Sequence, residues 1–333
     1  MGTEIQELRK KIVNTQGYKA HTGYAIFESV ATIGLIMVCW VVMYITQDTP
    51  WVYACILPCG VFVVKAFTIQ HDCGHNSFFA GKYRNIWLGR LISLITWTPF
   101  YYWKSSHHYH HTTSGNLDTR HIGGFKTLTS DQYMNLPITK RYLYRMYRSP
   151  IVVVLIDPLA IFVLQHRTWI GSWGPKDKNI ISVLTTSAGI ISTVTFGMYM
   201  FGVVQFLVLM VGIIWLAGII GVWFFFVQHQ FESTHYAHST EWKARKEEIA
   251  FLGSSFYDLP LVVQWLTGNI GIHHVHHLVD SVPSYRLNRV LKDMPELASL
   301  SNRITFLQSI SFIKLALWDK KNQRLISFKE ARS

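Results

Sequence analysis

Three short stretches concentrate histidine at spacings that bring imidazoles together. HDCGH sets His71 and His75 four residues apart, directly after a long apolar run, and a helix continued through them places both rings on one face. HHYHH at 107–111 and HHVHH at 273–277 share an i, i+3, i+4 pattern: His107, His110 and His111, then His273, His276 and His277. On a helix each triplet converges on one side. A lone histidine beside an apolar segment is ordinarily a capping or hydrogen-bonded residue. Eight at repeated spacing would bury many polar nitrogens at a cost that metal coordination and its supporting hydrogen bonds can offset. The chemistry these residues predict is metal binding.

Imidazole suits zinc, copper, nickel and iron, and the affinity order alone favours copper or zinc. A structural zinc site needs only four ligands, so eight or nine histidines predict two metals with positions left open for chemistry. Two redox-active irons that bind O2 fit a site beside lipid chains. His108 and His274 fall outside the triplet spacing and read as supporting or solvent-facing residues. His21, His121 and His166 are isolated and carry no assignment.

The elements that must hold these residues are apolar. Half of the 333 residues are hydrophobic and 14% are aromatic, and the mean hydropathy is positive, which excludes an ordinary soluble domain. Residues 29–46 and 51–70 are each long enough to cross a bilayer as a helix, with a tight turn between them. Between Lys178 and Glu232 there is no Lys, Arg, Asp or Glu, room for two more spans at about 180–199 and 205–227 that turn near Gly202. Two shorter runs, Ile86–Trp103 with Arg90 and Pro99, and Ile151–Leu164 with Asp157 and Pro158, read as re-entrant or interfacial helices. The expected fold class is all-α and integral to a membrane: four transmembrane helices in two hairpins, re-entrant or interfacial helices, and a cytoplasmic helical cap holding a di-metal site.

Charge sets the expected orientation. The formal net charge is +12, and basic residues flanking apolar spans reflect topology and anionic lipid rather than nucleic acid. The hairpin turns contain no Lys or Arg, and Lys65 alone lies within a span, close enough to its end to snorkel. Both termini and all the histidine clusters are therefore expected on the cytoplasmic side, in a cap built from residues 71–179 and 228–333 of a single domain, 1–333. Cys39, Cys55 and Cys59 sit in apolar stretches and Cys73 in a histidine cluster, so no disulfide framework is implied. The charged N-terminal segment lacks a secretory core and a myristoylation pattern.

At its three histidine boxes the chain resembles the membrane fatty acid desaturases, particularly the acyl-lipid, omega-6 (delta-12-like) branch. HDCGHNSFF, WKSSHHYHHTTSGNLD, FVQHQFE and GNIGIHHVHHLVDSVPSYRL carry the likeness, which runs from about Phe62 to Arg286. The resemblance implies two non-haem irons above a narrow acyl tunnel, with O2 as co-substrate. In the implied reaction O2, two electrons and two protons remove hydrogens from adjacent methylenes, leaving a cis double bond and water. It also implies nine histidine ligands. The ninth is expected at His229, whose FVQHQFE context matches the family's extra histidine; His235, His238 and Glu232 are weaker alternatives, and a helix-end role for His229 is the bland one. No His-Pro-Gly-Gly haem motif occurs, so electrons are expected from an external ferredoxin or from cytochrome b5 with its reductase. The substrate is a membrane lipid or an acyl thioester.

The same boxes serve di-iron lipid hydroxylases and related membrane oxygenases, which product analysis distinguishes. A metal transporter would need polar ligands inside its spans, and here the histidines lie at or beyond the span ends.

Overall fold

The computed structural model describes residues 1–119, 124–169 and 174–332, and His121 lies outside the described residues. Among the described residues, four helical segments are long and apolar enough to cross a membrane: Gln16–Ile45, Pro50–His75, Lys176–Phe201 and Val203–His229. They form two hairpins, as their composition demands. The second hairpin turns on Gly202, whose φ of +79° and ψ of 152° suit a residue without a Cβ. Apolar side chains such as Phe27, Val30, Ile191, Phe196, Val204 and Val208 stay exposed on the outer faces of the spans, where hydrocarbon rather than water is the solvent.

The second span is the central one. Half of its apolar window is buried within the protein, against 28% for the first and third spans. It packs on the fourth span and on the helix Lys82–Thr96. Its helix continues past Gln70, as expected, through to His75, where Asn76 ends it in the left-handed conformation.

The run 86–103 is broken in two. Lys82–Thr96 ends at Trp97, at φ +56°, and Pro99 opens a new helix, Phe100–Thr113. Gln70 pins this corner from the second span: its Nε2 donates to the Thr98 carbonyl at 2.8 Å and to Ser93 Oγ at 3.2 Å, and its Oε1 accepts from Thr96 Oγ1 at 2.6 Å. The residue preceding His71 thereby fixes the entry to the helix that carries His107, His110 and His111.

The run 151–164 is the upper part of a bent pair, Ile138–Tyr147 and Val152–Arg167, meeting at 52°. Wide π turns at Val152–Ile156 and Ala160–Leu164 flank Asp157 and Pro158, as expected where proline removes a backbone donor. Trp215 Nε1 on the fourth span donates to the Leu155 carbonyl at 2.8 Å, satisfying a polar group that lipid could not.

Among the described residues, the cap adds five short strands to the expected helices. Ser255–Asp258 pairs in parallel with Asn302–Thr305, and Leu315–Asp319 lies between Leu128–Thr129 and Arg324–Ser327. Phe256 also bridges Ile272, and Tyr257 N donates to the Gly271 carbonyl at 2.8 Å, which holds the helix His273–Leu278 against the first strand pair.

Lys65 does not snorkel. It is buried, paired with Glu28 of the first span at 2.8 Å, with its Nζ 3.2 Å from the centre of the Trp265 ring. A carboxylate one helix away and an aromatic face hold the charge inside, so no exit to the surface is required.

Candidate metal centre

Four helices deliver the clustered histidines. His71 and His75 occupy the last turn of the second span, and His229 is the final residue of the fourth. His107, His110 and His111 come from Phe100–Thr113; His273, His276 and His277 come from His273–Leu278. The side chains assemble into two groups, each with its ligand-capable atoms within 4.8 Å of one another. One contains His71, His75, His107, His111 and His276; the other contains His110, His229, His273 and His277. Both triplets are split. The i, i+4 pair His107 and His111 joins the first group while His110 turns to the second, and His276 leaves the pair His273 and His277 in the same way. Helical spacing thus places each triplet across two neighbouring sites rather than in one.

Within the groups the ring nitrogens approach as ligand atoms do. His107 Nε2 and His111 Nε2 are 3.0 Å apart, His111 and His276 3.1 Å, and His229 lies 3.1 Å from both His110 and His273. His71 Nε2, His75 Nε2 and His277 Nε2 are buried without a hydrogen-bond partner, a cost that a cation would remove. On the far sides of the rings, His71 Nδ1 faces Asp72 Oδ1 at 3.2 Å, His75 Nδ1 faces Asp280 Oδ2 at 3.3 Å, and His229 Nδ1 donates to the Gly253 carbonyl at 3.1 Å. Because those partners can only accept, Nδ1 carries the proton and the Nε2 lone pair points inward. Asp72 is itself held, its Oδ2 accepting from Ser284 N at 2.6 Å.

Electrostatics favour the ligating form. Burial, then the fields of neighbouring imidazoles, pushes His107, His111, His273, His276 and His277 well below the ordinary imidazole value. Rings held neutral are ready to bind a cation. Asp280 behaves in the opposite sense: burial raises its carboxyl, but the His75 hydrogen bond and the fields of His75, His108 and His71 bring it below the usual carboxylate range. This donor set of nine clustered imidazoles, three of them with Nδ1 committed outward, fits two borderline cations such as iron.

The remaining polar candidates lie elsewhere. Glu232 is exposed and pairs with Arg324, so it neither touches nor supports the cluster. His235 is exposed, with Nδ1 on the Ser233 carbonyl, and exposed His238 pairs with Asp118 at 2.9 Å. His108 faces solvent, whereas His274 is buried behind its helix against Phe251 and Phe256. His21 caps the first long helix, accepting from Tyr24 N, and His166 is buried between the rings of Tyr102 and Phe162.

An apolar groove lies between the second and fourth spans. Val63, Val64 and Phe67 of the second span, Ile214, Ala217, Gly218 and Gly221 of the fourth, Thr96 and Phe162 line it. Phe67 of its lining meets Trp103 edge-on, with ring centres 5.3 Å apart, and Trp103 stacks on His107 at 4.4 Å. A second cavity opens beside His110 and His229, lined by Phe125, Phe225, Gly115 and Gly253 among others.

Four membrane-spanning helices under a nine-histidine, two-part centre define an integral-membrane metalloenzyme built to act on an apolar chain. The fatty acid desaturase family model matches residues 48–306. The chain is similar to a fatty acid desaturase of Bacillus subtilis, 35% identical over 298 residues, covering 87% of this chain and 82% of that one. It is also similar to an sn-1 oleoyl-lipid 12-desaturase of a Picosynechococcus species, at 25% identity over 69% of this chain and 65% of that one. An sn-1 acyl-lipid omega-3 desaturase (ferredoxin) of a Nostoc species matches at 26% identity over 68% and 63%. The chain belongs to the fatty acid desaturase family: it is a membrane oxidoreductase that desaturates acyl chains.

Proposed function

We propose that the nine clustered histidines bind two iron ions, His71, His75, His107, His111 and His276 around one and His110, His229, His273 and His277 around the other. The observation that supports this is the splitting of both triplets between two groups, with buried Nε2 atoms otherwise lacking partners. When bound, the irons supply the activation of O2 that an unactivated methylene requires. The balance is one –CH2–CH2– unit, O2, two electrons and two protons giving a cis –CH=CH– unit and two waters.

The chain's own residues do the rest. Phe67, Phe162 and the small residues of the fourth span exclude water from the acyl groove, and Trp103, edge-on to Phe67, stacks on His107. Asp72, Asp280 and the Gly253 carbonyl orient three rings. The substrate is a lipid acyl chain, and the electrons come from an external one-electron carrier, a reading supported by the ferredoxin named for the Nostoc relative. The cap and both termini face the cytoplasm, and residues 1–333 act as one domain.

The test is expression in a host of defined lipid composition, iron analysis of the purified protein, and location of new double bonds by mass spectrometry. Two irons per chain and products lighter by two hydrogens are expected. Products that gain oxygen would assign a hydroxylase instead.

A further inference from the structure

We infer that the electron carrier docks on the cap face bearing Lys82, Lys104, His108 and Asp280, above the five-histidine group, and that this carrier is an acidic protein. The inference rests on the two-iron reading and gives its electron supply a place.

Electron transfer weakens steeply with distance, so the entry point lies where solvent comes nearest to a ligating ring. Asp280 provides such a point. Its side chain is 53% exposed, yet it sits 3.3 Å from His75 Nδ1, so one hydrogen bond separates the surface from a ring of the five-histidine group. Exposed His108 lies near Asp280.

The surroundings are basic. Lys104 and His108 stand one helical turn apart on the same face of Phe100–Thr113. Lys104 Nζ donates to Asn76 Oδ1 at 3.3 Å, tying it to the residue that follows His75. Exposed Lys82 lies near enough for its charge, after burial, to lower the Lys104 ammonium. Three arginines elsewhere on the cap are paired: Arg245 with Glu241 and Glu248, Arg303 with Asp258, and Arg324 with Glu232 and Glu330. No ion pair among the described residues engages Lys82 or Lys104. The one carboxylate of the patch, Asp280, is turned toward His75. The other approach to the centre, the cavity beside His110 and His229, has no lysine or arginine among its described lining residues. An unneutralised basic patch steers an acidic partner and fixes its register.

The experiment uses the iron-loaded protein in nanodiscs of neutral lipid, with plant-type [2Fe–2S] ferredoxin and cytochrome b5 as probes. Carrier binding is measured by titration and centre reduction by stopped flow. A Lys82→Glu/Lys104→Glu variant is compared with a Lys320→Glu/Lys321→Glu control of equal charge change on a distant turn of the cap. The carrier that supports turnover should bind the wild type more weakly as salt rises, and the Lys82/Lys104 variant about tenfold or more weakly still at low salt. The control should move by less than about twofold, and reduction by dithionite should be equal in all three. Equal losses in variant and control, or no loss in the variant, overturn the site. An effect of the variant that appears only when anionic lipid is present makes the lysines membrane anchors and also overturns it. If neither carrier reduces a wild type that holds two irons, the external-carrier reading falls and this surface with it.

Discussion

His229 separates a ligand from a helix cap at the level of one side chain. As a dipole partner at the end of the fourth span it would contribute about 1 kcal/mol and be dispensable to chemistry; as a ligand it is shared by no substitute. Its Nδ1 is committed to Gly253, and its Nε2 stands 3.1 Å from two other imidazoles. His229→Gln should leave the spans folded, lower iron from two per chain towards one, and reduce turnover beyond the about 100-fold typical of losing a supporting partner. Full iron and normal product yield would return it to the capping role. Asp280→Asn should act more mildly, about 10- to 100-fold in metal affinity, read by competition with a chelator. The clustering of the eight box histidines was legible because spacing on a helix is local, whereas His229 was reached only through its FVQHQFE context. Asp72 and Asp280 had a signal too, one inside the first box and one three residues after His277, but a carboxylate's orientation toward a ring is set by tertiary approach. Lys65 was misread for the same reason, because Glu28 and Trp265 are distant in sequence and adjacent only in the fold.

Among the elements, the spans could be read from length and hydropathy alone, and the broken run 86–103 announced itself through Pro99. The π turns around Pro158 and the five strands of the cap could not, since two to five residues are too few to show a period. The groove between the second and fourth spans belongs to this scale, because it exists only where Ala217, Gly218 and Gly221 lack the side chains that would fill it. A Cβ at Gly221 would meet nothing within 4 Å, so a side chain there enters open groove rather than packed core. Gly221→Phe should therefore be tolerated by the fold, and the helix gains propensity, while acyl chains that extend past the residue are excluded. Metal content should match wild type and turnover of long chains should fall at least about tenfold, with shorter acyl chains retained preferentially. Unchanged chain-length selectivity in a competition assay would place the acyl chain elsewhere.

At the scale of the whole molecule, the centre joins segments more than two hundred residues apart, from His71 to His277, and draws both hairpins to the cap. Five of its imidazoles outside the spans are held neutral by burial, with folded-state values well below the ordinary 6.5. For a group depressed in the folded state, the unfolded chain binds more protons as pH falls. The stabilising contribution is then complete above about pH 6.5 and is lost as pH drops below it, at up to about 1.4 kcal/mol per pH unit for each histidine. Bound metal competes for the same lone pairs, so acid and chelation should act in the same direction. The expectation is that the purified protein melts at a nearly constant temperature from pH 8 to pH 7 and at progressively lower temperatures toward pH 5. Metal removal at pH 8 should lower the melting temperature and raise hydrogen exchange in 100–113 and 273–278, while the middle of each span stays protected by its own backbone bonds. The metal-free protein should keep its acid dependence, because burial remains when the ion is gone. A melting temperature indifferent to pH between 8 and 5 in the metal-free protein would show that the cluster is hydrated, and that metal binding rather than burial keeps its imidazoles neutral.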